Sequence, residues 1–118
     1  MSGGSSTAEF VIKYKYVHIY YLQHVYDETG IQVKQEDRRI VGESELFDRE
    51  DAANAAVVKA IHQSGTSSGA NMRQGRRYTE TTNTYRHRWQ DTKTGIWYRV
   101  LEVNRWEIRE VRVQAVQE

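Results

Sequence analysis

The chain has no cysteine and no proline in its 118 residues. Without cysteine there is no disulfide framework, no thiolate zinc site and no thiol nucleophile. Without proline nothing interrupts a β ladder or a helix interior, so long hydrogen-bonded elements are favoured over irregular loops. No stretch approaches the roughly 20 apolar residues of a membrane helix, and no membrane partner is expected. The opening Met1–Thr7 is small and polar, with neither the basic nor the apolar region of a signal peptide. The expectation is an intracellular protein, cytoplasmic or nuclear. The length suits one domain with one core, over residues 10–118, behind a disordered tail at 1–9.

Catalytic spacings are missing too. The chain contains no His-Glu-x-x-His, Gly-x-Gly-x-x-Gly, Gly-x-x-x-x-Gly-Lys or Gly-x-Ser-x-Gly. Gly65-Thr66-Ser67-Ser68-Gly69 lacks the lysine of a phosphate loop and reads as a connector. His18, His24, His62 and His87 are scattered. Glu36 and Asp37 are adjacent and would face opposite sides of a strand, so they make no acid–base pair. No cofactor, no metal and no enzymatic activity are expected.

What the sequence does have is a pair of similar turns between long alternating runs. They read Tyr26-Asp27-Glu28-Thr29-Gly30-Ile31 and Asp91-Thr92-Lys93-Thr94-Gly95-Ile96. Aspartate side chains bond to nearby backbone N–H groups, and glycine accepts positive φ, so each segment is a candidate hairpin turn. Phe10–Tyr26 is dense in β-branched and aromatic residues and predicts a very long strand. From Val17 to Leu22 both faces are apolar, so either both are covered or one awaits a partner. The return strand starts at Ile31. It crosses a charged patch, Glu36-Asp37-Arg38-Arg39, and then Gly42, both of which suggest a bulge or a break.

A helix is predicted after Asp48, read as the N-cap, with Asp51 three residues on as in a capping box. Ala53, Ala56, Val57, Ala60 and Ile61 form one narrow stripe of small residues, and Gly65 ends the helix. Residues Thr66–Gly75 read as a loop. A third strand is expected from about Arg77 to Gln90 and a fourth from Ile96. The apolar phase shifts near Asn104 and Arg109 suggest either a bulged strand or a fifth strand. The predicted class is α+β: an antiparallel sheet of four to five strands, β-β-α-β-β, with one helix on one face.

The segment from Gly42 to Ile61 resembles small uncharacterised fungal and phage proteins. In these, an aromatic hairpin with an acidic turn leads into a helix opening on an acidic, Ala-Asn-rich phrase, here Phe47-Asp48-Arg49-Glu50-Asp51-Ala52-Ala53-Asn54-Ala55-Ala56. The resemblance covers the first half of the chain. It implies a hairpin-plus-helix fold and no activity.

Net charge is +1, but its distribution is uneven: Asp27–Asp51 holds nine acidic and four basic side chains, and Arg73–Arg88 holds five arginines and one glutamate. Such a bipolar chain suits a charged partner or head-to-tail pairing with itself. Eight tyrosines, three tryptophans and two phenylalanines exceed what one alanine-faced helix can cover. The first functional reading is therefore a non-enzymatic interaction module. It would homodimerise or dock a protein through an aromatic sheet face of Tyr14, Tyr16, Tyr20, Trp97, Tyr98 and Trp106, rimmed by Arg86 and Arg88. A sheet that curls over its own aromatics is the competing structural outcome. The second reading is nucleic-acid binding, with Arg73, Arg76, Arg77, Arg86 and Arg88 on phosphates and Tyr78, Tyr85 and Trp89 stacking on bases. The third is a small-ligand pocket or enzyme in a curved sheet around His18, Tyr20 and His87.

Overall fold

The computed structural model describes residues 9–26, 28–65 and 71–115, excepting the side chains at 84–89. Five strands and one helix follow in the order β1 (Phe10–Tyr26), β2 (Gln32–Glu43), α1 (Glu50–Ser64), β3 (Asn71–Gly75), β4 (Tyr78–Gln90) and β5 (Trp97–Gln114). They form one antiparallel sheet in the order β2-β1-β5-β4-β3. The α+β class, the antiparallel sheet and the single helix on one face agree with the reading of the sequence.

The two strands richest in β-branched and aromatic residues take the centre. β1 and β5 pair without a register shift from Phe10↔Gln114 to Tyr26↔Tyr98. At about 3.3 Å per residue that pair is on the order of 56 Å long. The molecule is correspondingly a rod of 73 × 30 × 20 Å. Its radius of gyration is 19.8 Å, against about 13 Å for a compact chain of this length.

β2 lies on one edge and β3 on the other, so α1 must cross the sheet between them. It does so over Tyr14, Tyr16, Trp106 and Ile108, burying Ala53, Val57 and Ile61 against them with Phe47 alongside. This packing sorts the faces. Even-numbered residues of β1 and β5 point to the helix, and odd-numbered ones point away. The odd face holds its own buried cluster of Val17, Ile19, Tyr21 and Val103. Of the Val17–Leu22 stretch, Val17, Ile19 and Tyr21 are buried on the odd face, while His18, Tyr20 and Leu22 on the even face are half-buried.

Four sequence expectations are corrected. Asn71–Gly75, read as loop, is the strand β3, paired to β4 from Asn71↔Thr82 to Gly75↔Tyr78; residues 66–70 lie outside the described residues. Asp48 does not cap α1. Arg49 occupies that position without a side-chain cap, and Asp48 is drawn instead into an ion pair with Lys13 of β1. The phase shifts in β5 mark neither a bulge nor a new strand. They mark a change in which face is covered, from Val103 on the odd side to Trp106 and Ile108 under the helix. Finally, position 9, assigned to the tail, is tied down, since the Glu9 carbonyl accepts the Ala115 N–H at 2.9 Å; residues 1–8 lie outside the described residues.

Other expectations hold. The charged patch of β2 is a bulge, with Asp37 at φ 58° and the register slipping opposite Tyr20 and Leu22. Gly65 ends α1 in the left-handed region at φ 72°. The uneven charge, read as suiting a partner, is instead partly met within the chain, where Arg77 of the basic segment already pairs with Glu50 of the acidic one at 2.6 Å, and with Glu110 at 2.9 Å.

Trp106 is only 1% exposed, whereas Trp97 is 39% exposed. Trp106→Ala should lower the unfolding free energy by about 3–5 kcal/mol, the usual cost of a large cavity. Trp97→Ala should cost under about 1 kcal/mol. Urea titration of both variants checks the contrast.

Candidate interaction surfaces

The two similar turns lie side by side at one end of the rod, because β1 ends where β5 begins. Three of their hydrogen bonds match atom for atom. The Gly30 N–H donates to the Tyr26 carbonyl and the Gly95 N–H to that of Asp91, each at 2.8 Å. The Ile31 N–H donates to Thr29 Oγ1 at 3.2 Å, and the Ile96 N–H to Thr94 Oγ1 at 3.3 Å. Tyr26 and Asp91 donate across the loop to the Ile31 and Ile96 carbonyls at 3.0 and 2.9 Å. Gly30 and Gly95 sit at φ 72° and 74°, where other residues are strained. Asp91 Oδ1 accepts the Lys93 and Thr94 N–H groups, as a turn-opening aspartate should. Its equivalent in the first turn is Tyr26; Asp27 lies outside the described residues.

Between the tips is a cleft of about 470 Å³ lined by Tyr26, Ile31, Ile96 and Trp97, with Glu28 and Thr29 at its rim. Ile31 is 61% exposed. The Tyr26 and Tyr98 rings stack with centroids 5.2 Å apart. The opposite end of the rod is also apolar at its surface, with Phe10, Val11 and Ile12 exposed.

The middle of the odd face is closed by charge. Arg105 bridges Glu80 at 2.8 Å and Glu107 at 2.7 Å. Arg109 meets Glu107 at 2.9 Å, and Arg73 reaches Glu80 at 3.7 Å. The Arg105 guanidinium lies 3.9 Å from the centroid of the Tyr78 ring, and that of Arg38 lies 5.2 Å from the Tyr21 centroid. Burial pushes the Glu107 carboxyl up, but its bonds from Arg105 and Arg109 outweigh that and hold it below the usual range. A second cleft of about 470 Å³, beside Tyr21, Arg73, Glu80 and Val103, opens onto this network and is polar.

The predicted residues separate accordingly. Tyr14 and Tyr16 pack against the helix core and Trp106 lies within it, so these three cannot form an open aromatic face. Tyr20 is half-buried, bonding through its hydroxyl to Glu102 at 2.9 Å with Arg39 over its ring. Trp97 and Tyr98 lie at the twin-turn end. The side chains of Tyr85, Arg86, His87, Arg88 and Trp89 lie outside the described residues. The basic set is not gathered in one place. Arg76 and Arg77 sit at the β3–β4 turn, and β4 carries Arg88 on the order of 35 Å away. Arg77 and Arg73 are already engaged with carboxylates.

His18, a candidate for a ligand site, stacks on Trp106 with ring centroids 4.3 Å apart, and its Nε2 lies 2.8 Å from Asn104 Oδ1. His24 bonds Glu36 at 2.9 Å. Among the described residues no group of three His, Asp or Glu could hold a metal ion, and no helix is long and apolar enough to cross a membrane. Sequence reasoning missed Phe10, Val11, Ile12, Ile31 and Ile96 as surface residues. Their positions at the two strand ends were the available signal.

No family model, curated protein or solved structure matches this chain.

Burial lowers the His18 pKa, only partly opposed by its bond to Asn104. Histidine here is thus harder to protonate folded than unfolded. Stability should be complete above the ordinary value of 6.5 and fall as pH drops below it towards the lowered folded value. Urea midpoints at neutral and mildly acidic pH should show this slope, and His18→Gln should flatten it. Arg105→Ala leaves Glu80 and Glu107 facing each other, half-buried and without their shared cation. It should cost about 1–3 kcal/mol, read by the same titration.

Proposed function

We propose that this protein is a non-enzymatic interaction module that associates with a second copy of itself. One observation carries the reading: apolar side chains are exposed at both ends of the rod, beyond the reach of the helix. Phe10 is 51% and Ile31 61% exposed, and each sits among other exposed apolar residues. Patches of this kind on a soluble chain mark association sites. The charges support a protein partner over a polyanion, since Arg77, Arg105 and Arg109 are engaged by Glu50, Glu80, Glu107 and Glu110.

The test is solution mass by light scattering across a wide concentration range, with and without nucleic acid. The mass should rise from monomer to dimer with concentration and stay unchanged by added RNA or DNA at low salt. A monomer at every concentration would overturn the reading. A nucleic-acid complex that weakens steeply with salt would favour the alternative of binding through the Arg73–Arg88 region.

A further inference from the structure

Of the two apolar ends, one has a closed backbone and the other does not. At the twin turns the loop hydrogen bonds described above close the chain. At the other end β1 and β5 run on as a ribbon of two strands. On the β1 side the last neighbour is Phe47, which exchanges two backbone bonds with Tyr14 at 2.7 and 2.8 Å. On the β5 side the last is Arg77, whose carbonyl accepts the Ile108 N–H at 2.8 Å. That bond shows which way the backbone points. Even-numbered residues of this part of β5 turn their N–H and C=O groups outward, and the Ala115 N–H, bonded to Glu9, turns inward as an odd-numbered residue should. Among the described residues no strand meets the outward groups of Glu110, Arg112 and Gln114. A free two-stranded ribbon is marginal, and an open edge next to apolar side chains is a template for pairing.

The geometry points to this edge, Arg109–Val113 of β5, as the homodimer contact, paired antiparallel with the same segment of a second copy; this rests on the self-association proposed above. A two-fold axis normal to the sheet keeps each face on its own side. Residues opposite one another must then share parity, so the axis passes through a residue and not between two. An axis at Glu110 or Arg112 sets like charges against each other. An axis at Val111 sets Glu110 across from Arg112 of the second copy, twice. Both of those residues point their backbone groups outward, so each pair exchanges two main-chain bonds. Val111 then meets its own copy, and Val11, Val111 and Val113 of the two chains make one apolar strip on the odd face.

Charge exchange tests the register. Glu110→Arg should weaken the dimer about tenfold, since two attractive cross-strand pairs become repulsive. Arg112→Glu should do the same, and the double variant Glu110→Arg/Arg112→Glu should bind more tightly than either single variant, short of the wild type because Arg77 loses its Glu110 partner. A crosslink tests the axis. The chain has no native thiol, and opposed residues of a non-hydrogen-bonded antiparallel pair lie within disulfide range. Val111→Cys should therefore give a covalent dimer on mild oxidation, while Thr92→Cys at the other end should not. If the wild type is a monomer throughout, self-association and this contact fall together. If it dimerises but neither the charge variants nor Val111→Cys respond, this edge is wrong and self-association stands. Crosslinking through Thr92→Cys in that case would move the contact to the twin turns.

Discussion

A single helix has to serve a sheet far longer than itself. The 15 residues of α1 extend about 22 Å, while the central strand pair extends about 56 Å. The helix also lies across the sheet, because the chain leaves β2 at one edge and re-enters as β3 at the other. It can therefore roof only a short stretch, around Tyr14, Tyr16, Trp106 and Ile108. Everything else about the molecule follows from how the remaining length is managed. The middle is covered on its far side by long charged side chains, and the two ends leave apolar side chains exposed.

The charged network does work that apolar packing does in a more compact domain. Arg105, Glu80 and Glu107 lie over the face that holds Val17, Ile19, Tyr21 and Val103, and their stems shield it while their heads satisfy one another. Tyr78 is clamped in the same network, and Gly75 opposite it has no room for a Cβ, because the Tyr78 ring fills that space. Arg77 is the joint between this network and the helix. It accepts a positive φ of 63°, unfavourable for a residue with a side chain, and is held there by Glu50, Glu110 and the Ile108 N–H.

Local chemistry was legible in the sequence, and long-range geometry was not. The twin turns follow from Thr-Gly-Ile preceded by polar residues, and the helix from its small-residue stripe and Gly65. The sequence Asn71-Met72-Arg73-Gln74-Gly75 has no strand pattern of its own. It becomes a strand because β4 offers an edge and the turn at Arg76–Arg77 brings it there. Asp48 looks like a cap, but Lys13 is distant in sequence and close in space. The candidate surface suffered most. Trp97 and Trp106 are alike by composition and opposite in fate, and what separates them is where α1 crosses, which no local signal fixes. The aromatics first read as one open face divide into a sealed set at Tyr14, Tyr16 and Trp106 and an accessible set at the twin turns.

The edges of the sheet show which exposed strands are protected. β2 is open along its outer side, but its pairing slips three times, Asp37 twists the backbone, and Lys34, Glu36, Asp37, Arg38 and Arg39 crowd it with charge. Such an edge resists addition of another strand. β3 is protected by brevity, at five residues. The β1–β5 ribbon has neither the slips nor the twist of β2. It is straight in register, carries Phe10, Val11 and Ile12 in the open, and alternates charge with valine along β5 from Glu110 to Val113. A chain that bulges one edge and shortens another, yet leaves a third regular and apolar, has the pattern expected where a regular edge has a partner. The same length that defeats the helix thus supplies the surface that a second chain can complete.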